Sequence, residues 1–224
     1  KFMAVQDQTK IISAKDLGQL SMEDFCPRCF WLQRHYGKYP QIFPGIFSTL
    51  DSLTKKSVKR SFQDRSCVPD WLPIKNIQKV VDFKKMNVVT EYGNWILTGV
   101  PDDIFKLDDD SFYIVDYKTA KYTINQDRLL PMYRVQLNAY AFGFPSQNIT
   151  PISKLSLIYC EPNDGLDNDL EFKLSFIINI HDVPLDISEI PRLLIRAREI
   201  VDSPIPPPHE KCKGICMWLN QIPN

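Results

Sequence analysis

The fold is decided by residues 99–118, which read GVPDDIFKLDDDSFYIVDYK. The apolar runs on either side of the acidic triplet at 108–110 predict two antiparallel strands joined by a three-residue turn. Such a turn sets a register in which Asp102 lies directly opposite Asp116. Facing residues have Cβ atoms about 4.5–5.5 Å apart, whereas a slip by one residue would move Asp102 to the other face. We therefore expect an acidic pair on one face of a β-hairpin.

The second strand of this hairpin carries the most informative chemistry. Residues 112–115 are apolar on both faces, which is typical of a central strand that is covered on both sides. Asp116 and Lys118 follow on one shared face, and burying such charges is costly unless they meet each other, a metal or a ligand. Asp102 and Asp116 would repel each other unless a divalent cation lay between them. Hard oxygen ligands favour Mg²⁺ or Mn²⁺ over zinc. The alternative is a purely structural Asp116–Lys118 ion pair.

The remaining patterns predict a mixed α/β fold in a single domain covering residues 1–224. We expect an N-terminal arm over 1–20 and a cysteine-bearing C-terminal segment over 204–224. Ser21 is expected to cap a first helix. A second helix is expected over 47–62, with an apolar stripe (Leu50, Leu53, Val58, Phe62) and a basic face (Lys55, Lys56, Lys59, Arg60). The other expected elements are strands over 77–90, 95–107, 112–119, 154–159 and 171–180, and helices over 126–142 and 187–201.

A helix after the hairpin carries Gln136 and Tyr140, which are four residues apart and share one helical face. Both are neutral hydrogen-bonding groups that can hold a phosphate or a base. Together with residues 99–104 and the Asp116-Tyr117-Lys118 triplet, this pair resembles the motifs of the PD-(D/E)XK nuclease superfamily. The resemblance is closest to the RecB-like branch, which includes CRISPR-associated exonucleases and helicase-linked nuclease domains. It extends over roughly residues 20–220 and implies a restriction-endonuclease-like core, with a mixed central sheet flanked by helices.

The resemblance implies a role for each motif residue. Asp102, Asp116 and the backbone carbonyl of Tyr117 would bind Mg²⁺ or Mn²⁺. Lys118 would orient and help to deprotonate the attacking water, while the metal stabilises charge on the scissile phosphate.

Two further roles follow from the same resemblance. Gln136 and Tyr140 would position the nucleic acid near the active centre. The superfamily often adds a histidine or an acidic ligand from the helix before the hairpin. No histidine occurs between His35 and His181, so we expect Asp51 to take this role, with Glu91 as the weaker candidate.

Two cysteine pairs lie at opposite ends of the chain, Cys26 with Cys29 and Cys212 with Cys216. Four thiolates can hold either a tetrahedral zinc ion or a [4Fe–4S] cluster. In RecB-like nucleases with a cluster, the resemblance implies that cysteines from both ends meet and close the domain, usually as one plus three rather than two plus two. We expect a [4Fe–4S] cluster first, Zn²⁺ second and unmetallated thiols third.

The composition excludes several other classes of protein. With 44% hydrophobic residues the 224-residue chain is not disordered. Its 8 glycines include no G-x-G pair, which excludes a dinucleotide fingerprint and a phosphate-binding loop. The chain shows no apolar run near membrane length and no signal peptide, so we expect a cytoplasmic protein without membrane contact. Cys67 and Cys160 are expected to be ordinary buried cysteines.

Two groups of residues could contact nucleic acid, although packing in the core or a solvated surface is the more common role of each. These groups are the aromatic residues Phe30, Trp31, Tyr36 and Tyr39 and the arginines Arg192 and Arg196. The expected function is that of a metal-dependent DNA nuclease, acting as an exonuclease on single-stranded ends, with a helicase or CRISPR-type partner. The competing hypotheses are a catalytically idle member that binds DNA or protein, and a zinc-bound structural module.

Overall fold

The predicted hairpin forms the centre of the molecule. The structure is a computed structural model that describes residues 10–38, 44–122, 128–163, 173–210 and 216. In chain order the elements are β1 (Ile11–Ser13), α1 (Ala14–Gly18), α2 (Pro27–Tyr36), α3 (Gly45–Arg65), β2 (Ile77–Val80), β3 (Met86–Val89), β4 (Ile96–Gly99), β5 (Asp103–Leu107), β6 (Phe112–Lys118), α4 (Leu130–Gly143), β7 (Ile152–Pro162), β8 (Phe176–Asp182) and α5 (Glu189–Val201).

The larger sheet has five strands in the order β2-β5-β6-β7-β8. It is mixed, because β6 is antiparallel to β5 but parallel to β7, with α4 in the crossover between them. The hairpin is therefore at the middle of the sheet rather than at an edge. This arrangement confirms the mixed central sheet that the sequence predicts.

A second sheet has three strands in the order β1-β4-β3 and was not expected. The continuous strands predicted over 77–90 and 95–107 each divide in two, and the halves join different sheets. In the second of them the break falls at Val100–Asp102, where Pro101 lacks the backbone N–H that a ladder requires. Residues 11–18, expected within an N-terminal arm, instead form β1 and α1 and contribute buried side chains such as Ile12 and Leu17.

The first helix begins later than the sequence suggests. Ser21 ends a short 3₁₀ turn (Gln19–Ser21) and does not cap a helix. Helix α2 begins instead at Pro27, with Cys26 in the N-cap position, because proline is well suited to the first turn of a helix.

Helix α3 differs from its predicted apolar stripe. Val58 is fully buried, but Leu53 is 57% exposed, and Leu50 and Phe62 are only partly buried. The helix therefore packs on the sheet along a narrow edge. Three of its other apolar side chains, Ile46, Phe47 and Leu53, are exposed at the surface.

The core lies on both faces of the five-stranded sheet. On one face, Ile104 and Ile114 pack in a large cluster with residues of α1, α4 and α5. On the other face, Phe105, Tyr113 and Val115 pack against Val58 of α3. This alternation is the two-sided burial expected of a central strand, and it directs Asp116 towards α4.

The two ends of the described chain meet, as the predicted fold requires. Trp31 Nε1 of α2 donates a hydrogen bond to the Ser203 carbonyl at 2.9 Å, and a ring nitrogen of His35 lies 2.8 Å from the Val201 carbonyl. Among the described residues, no helix combines the length and apolar character needed to cross a membrane.

Candidate active site

The hairpin has the register that the turn predicts. Asp103 pairs with Val115 and Ile104 with Ile114, so Asp102 enters the hairpin beside Asp116. Asp102 stands one residue before β5 because the chain bends at Pro101. Its Oδ2 accepts a hydrogen bond of 2.6 Å from the backbone N–H of Tyr117. The two carboxylates therefore lie on the same side of the sheet.

Asp116 is held by two neighbours on its own face. Its Oδ2 forms an ion pair with Lys118 Nζ, and its Oδ1 accepts a hydrogen bond of 3.1 Å from Gln136 Nε2. Lys118 Nζ also lies 3.9 Å from the centre of the Tyr133 ring. The ammonium is thus fixed between a carboxylate and an aromatic face, one pleat from Asp116.

Asp102 has a partner that the sequence did not reveal. Lys55 Nζ of α3 lies 2.6 Å from Asp102 Oδ1 and 2.9 Å from Asp51 Oδ2. The sequence assigned Lys55 to a solvated basic face, but its ammonium bridges two predicted metal ligands. The four-residue spacing of Asp51 and Lys55 on one helix predicts their own ion pair, but nothing in the sequence predicts the contact of Lys55 with Asp102.

Burial and like charge act together on this acidic group. Burial first, and then the charge of Asp116, raise the pKa of Asp102 to about 6, against the opposing effect of Lys55. Burial also raises the pKa of the adjacent Asp103 to about 6, although the Tyr117 hydroxyl donates to its carboxylate at 2.9 Å. Burial alone would lower the pKa of Lys55, but the Asp102 and Asp51 carboxylates raise it. Lys55 is therefore the counter-charge that Asp51 and Asp102 share.

Gln136 and Tyr140 lie together behind Asp116. Gln136 Nε2 donates to the Tyr140 hydroxyl at 2.9 Å, and that hydroxyl donates to the Val100 carbonyl at 3.2 Å. Tyr140 is buried and its ring packs so closely on Gly99 that a Cβ at that position would lie 2.3 Å from a ring carbon. Gln136 Oε1 is buried and has no hydrogen-bond partner among the described residues. The predicted contact of both residues with nucleic acid stays a prediction.

The carboxylates open into a cleft of about 750 Å³, which we call the acidic cleft. It runs between α3, the end of β6 and the start of α4. Its lining includes Asp51, Asp102, Asp116, Lys118, Gln136 and the backbone after β6, together with Arg128 and Tyr133. Three acidic side chains (Asp51, Asp102 and Asp116) and two lysines (Lys118 and Lys121) thus line one space large enough for a nucleotide.

Other residues considered from the sequence lie elsewhere. Glu91 is exposed in a turn and does not line the acidic cleft. Arg192 and Arg196 are exposed on α5 and do not line it either. Phe30 and Trp31 are buried in the core, so they cannot stack on exposed bases. Of the two tyrosines in the same group, Tyr36 is 73% exposed, and Tyr39 lies outside the described residues.

Three of the four predicted metal-binding cysteines come together. The sulfur of Cys216 lies 3.6 Å from that of Cys26 and 2.8 Å from that of Cys29. A histidine joins them, because the ligand atoms of Cys26, His209 and Cys216 all lie within 4.8 Å of one another. Cys212 lies outside the described residues. These ligand types fit a metal centre, which His209 extends beyond the predicted set.

The remaining cysteines have different environments. Cys160 is buried as expected, but the prediction for Cys67 is wrong, because its side chain is exposed just beyond the end of α3.

Within the cysteine cluster, burial of Cys26 would raise its pKa, yet hydrogen bonds from the backbone of Glu210 and Cys29 and from neighbouring thiols lower it.

The chain was compared with known proteins. A sequence profile of the PD-(D/E)XK nuclease superfamily matches residues 63–220, a range that includes the hairpin and Gln136 but begins after Asp51 and Lys55. Among solved structures, the crystal structure of SSO0001 is similar at a TM-score of 0.45 and 17% sequence identity, covering 90% of this chain and 81% of that chain. No curated protein matches the chain.

Proposed function

The chain belongs to the PD-(D/E)XK nuclease superfamily, and on this premise we propose that it is a metal-dependent deoxyribonuclease acting as an exonuclease on single-stranded ends. One observation supports the proposal most strongly. Asp102 and Asp116 line the same cleft, and Lys118 is paired with Asp116 in the order that the superfamily motif requires. The preference for single-stranded ends comes from the resemblance to the RecB-like branch.

Asp102, Asp116 and the Tyr117 carbonyl are the proposed ligands of Mg²⁺ or Mn²⁺, with Asp51 as an additional ligand. This set fits a hard divalent cation, because it is made of oxygen atoms and because burial beside Asp116 disfavours an ionised Asp102 without a counter-charge. A cation bound there would stabilise the negative charge that builds up on the scissile phosphate.

Lys118 is proposed to orient the attacking water, and its positive charge would favour the loss of that water's proton to the solvent. Its ion pair with Asp116 and its position over the Tyr133 ring hold the amine at the floor of the acidic cleft. A side chain fixed in this way loses little freedom when the substrate arrives, which favours a well-aligned attack.

Gln136 and Tyr140 are proposed to act on Asp116 as well as on the substrate. The hydrogen bond from Gln136 Nε2 fixes the rotamer of the Asp116 carboxylate, and Tyr140 fixes Gln136. Gln136 Oε1 is the acceptor left for a substrate group or a water molecule.

Lys55 is proposed to supply the counter-charge of the site before a divalent cation binds. Its ammonium contacts one carboxylate oxygen of Asp51 and one of Asp102, the two residues that would help to hold the cation. Binding of a divalent cation would require Lys55 to move away from Asp102. Its ammonium could then pair with a phosphate of the substrate.

The test is incubation of the purified protein with end-labelled single- and double-stranded DNA, with and without Mn²⁺, beside the Asp116→Ala variant. We expect label to be released from the single strand by the wild type only when Mn²⁺ is present, and not by the variant. The pairing of both carboxylates with lysines favours one other candidate, a catalytically idle module that binds DNA. DNA binding without cleavage under every condition would establish that candidate instead.

The zero net charge of the chain supports a role for a partner protein. A helicase or a CRISPR-type protein would supply part of the affinity for DNA. A strong salt dependence of cleavage by the isolated chain, relieved by the partner, is the expected result.

The cysteine site is proposed to hold a structural metal that joins the two ends of the domain. His209 beside the thiols is typical of a zinc site, whereas a [4Fe–4S] cluster would need Cys212 as the fourth ligand. Metal analysis of the wild type, His209→Ala and Cys212→Ala proteins distinguishes the two. Zinc retained in Cys212→Ala indicates the first, and a brown protein that loses iron in that variant indicates the second.

A further inference from the structure

Part of helix α3 faces an apolar pocket next to the acidic cleft. This pocket, about 320 Å³ in volume, is lined mainly by Leu50, Leu53, Trp71, Cys160, Phe176 and Ile178, and we call it the Trp71 pocket. Thr54 and Thr119 line both the Trp71 pocket and the acidic cleft, so the two spaces adjoin each other. Leu53 is 57% exposed at the rim.

The chemistry of the Trp71 pocket suits a flat, uncharged group. None of the described residues that line it is charged. Trp71 Nε1 donates to Ser57 Oγ at 3.1 Å, which fixes the indole ring against α3. Burial raises the pKa of Cys160 to about 11, so its thiol is neutral at physiological pH. A phosphate would find no counter-charge here, whereas a nucleobase would find an aromatic surface.

A third feature lies on the far side of the Trp71 pocket. Leu53 and Ser57 also line a shallow groove with four basic residues (Lys56, Lys59, Arg60 and Arg65) and one acidic residue, Asp64, which pairs with Arg60, so the groove keeps an excess of positive charge and we call it the basic groove. Helix α3 therefore borders, in order, an acidic cleft, an uncharged aromatic pocket and a basic groove. Sites for single strands combine stacking surfaces for bases with positive charge along the backbone.

We propose that the Trp71 pocket receives the base of the nucleotide next to the scissile phosphate, while the basic groove receives the neighbouring phosphates. The proposal rests on the proposed nuclease function and makes its substrate class specific. A base that is paired in a duplex cannot enter the pocket, so only an unpaired nucleotide places its phosphate in the acidic cleft. Base stacking thereby selects single-stranded DNA without reading its sequence.

The test compares the activity of Trp71→Ala and wild type on normal single strands and on strands with one abasic nucleotide. The abasic nucleotide lies beside the terminal bond, at the 5′ end in one substrate and at the 3′ end in another. Stacking of one base is worth about 1–3 kcal/mol, or about 5–150-fold in rate or affinity. We expect wild type to prefer the normal strand by such a factor, Trp71→Ala to lose the preference, and Trp71→Phe to keep most of it.

Leu53→Asp provides a second variant at an exposed position, in case Trp71→Ala does not fold. It should also lose the preference, whereas Leu185→Asp, at an exposed leucine that lines neither space, should not. Binding of the same strands to Asp116→Asn protein, measured by fluorescence anisotropy, gives a readout that needs no cleavage.

Three outcomes are informative. The base-binding proposal would be overturned if wild type cleaved or bound normal and abasic strands equally. It would also be overturned if the variants lowered the cleavage rate or affinity for both strands by one common factor. Wild type that binds with the base preference but cleaves nothing would overturn the nuclease function and leave the pocket assignment standing.

Discussion

Asparagine in place of Asp102 should make the metal-free protein more stable while removing its response to Mn²⁺. Burial and the nearby Asp116 raise the Asp102 pKa from 3.8 to about 6. A carboxyl group with a raised pKa costs stability once it is ionised, so stability is lost as the pH rises from about 4 to about 6. A change of this size corresponds to about 3 kcal/mol at neutral pH. That pKa already includes the favourable 2.6 Å ion pair with Lys55, so asparagine should remove the net cost and give an expected gain of about 1–3 kcal/mol.

The measurement is thermal unfolding at several pH values, with and without Mn²⁺. For a chain of this length each kcal/mol shifts Tm by roughly 2–4 °C. Asp102→Asn should therefore melt roughly 2–12 °C above wild type at pH 7 without added metal, and near wild type below about pH 4. Mn²⁺ at about 100 times its Kd should stabilise only the wild type, by about 2.7 kcal/mol.

Asp103→Asn is the matched control, because burial also raises its pKa to about 6 but its side chain does not line the acidic cleft. It should gain stability and keep the Mn²⁺ response. The reasoning about the acidic pair is refuted if Asp102→Asn melts below wild type at pH 7, or if it keeps the full Mn²⁺ stabilisation.

Three other variants test separate parts of the structure. Lys55→Met should bind Mn²⁺ about tenfold more tightly, because no ammonium competes for Asp102, and unchanged affinity in titration calorimetry would count against the competing role. Gly99→Ala should lose about 1–3 kcal/mol in urea unfolding, because the new Cβ would meet the Tyr140 ring, and wild-type stability would contradict the contact. Cys216→Ser should lose bound zinc or iron in elemental analysis, and full metal content would show that its sulfur is not a ligand.

The acidic pair could be predicted from the sequence because a hairpin is a local structure. The length of the turn sets the register, and the register places Asp102 beside Asp116, as the structure shows. The face of Lys118 follows from the period of a strand. These inferences need no knowledge of the rest of the chain.

The partners of the acidic pair could not be predicted in the same way. Lys55 reaches Asp102 only because α3 packs beside the end of β6, a contact between distant parts of the chain. His209 joins the cysteines for a similar reason, since it reaches Cys26 only once the two ends of the fold meet. No periodicity in the sequence carries this information.

The sequence by itself determined the hairpin, its register, the placement of acidic residues on one face and the family motifs, because each depends on neighbours within about twenty positions. Tertiary structure alone decided which strand joins which sheet, where Leu53 lies and which lysine neutralises Asp102. The physical reason is that burial and charge pairing depend on which surfaces meet after folding. Until those surfaces meet, neither an apolar nor a charged residue on a helix has a defined partner.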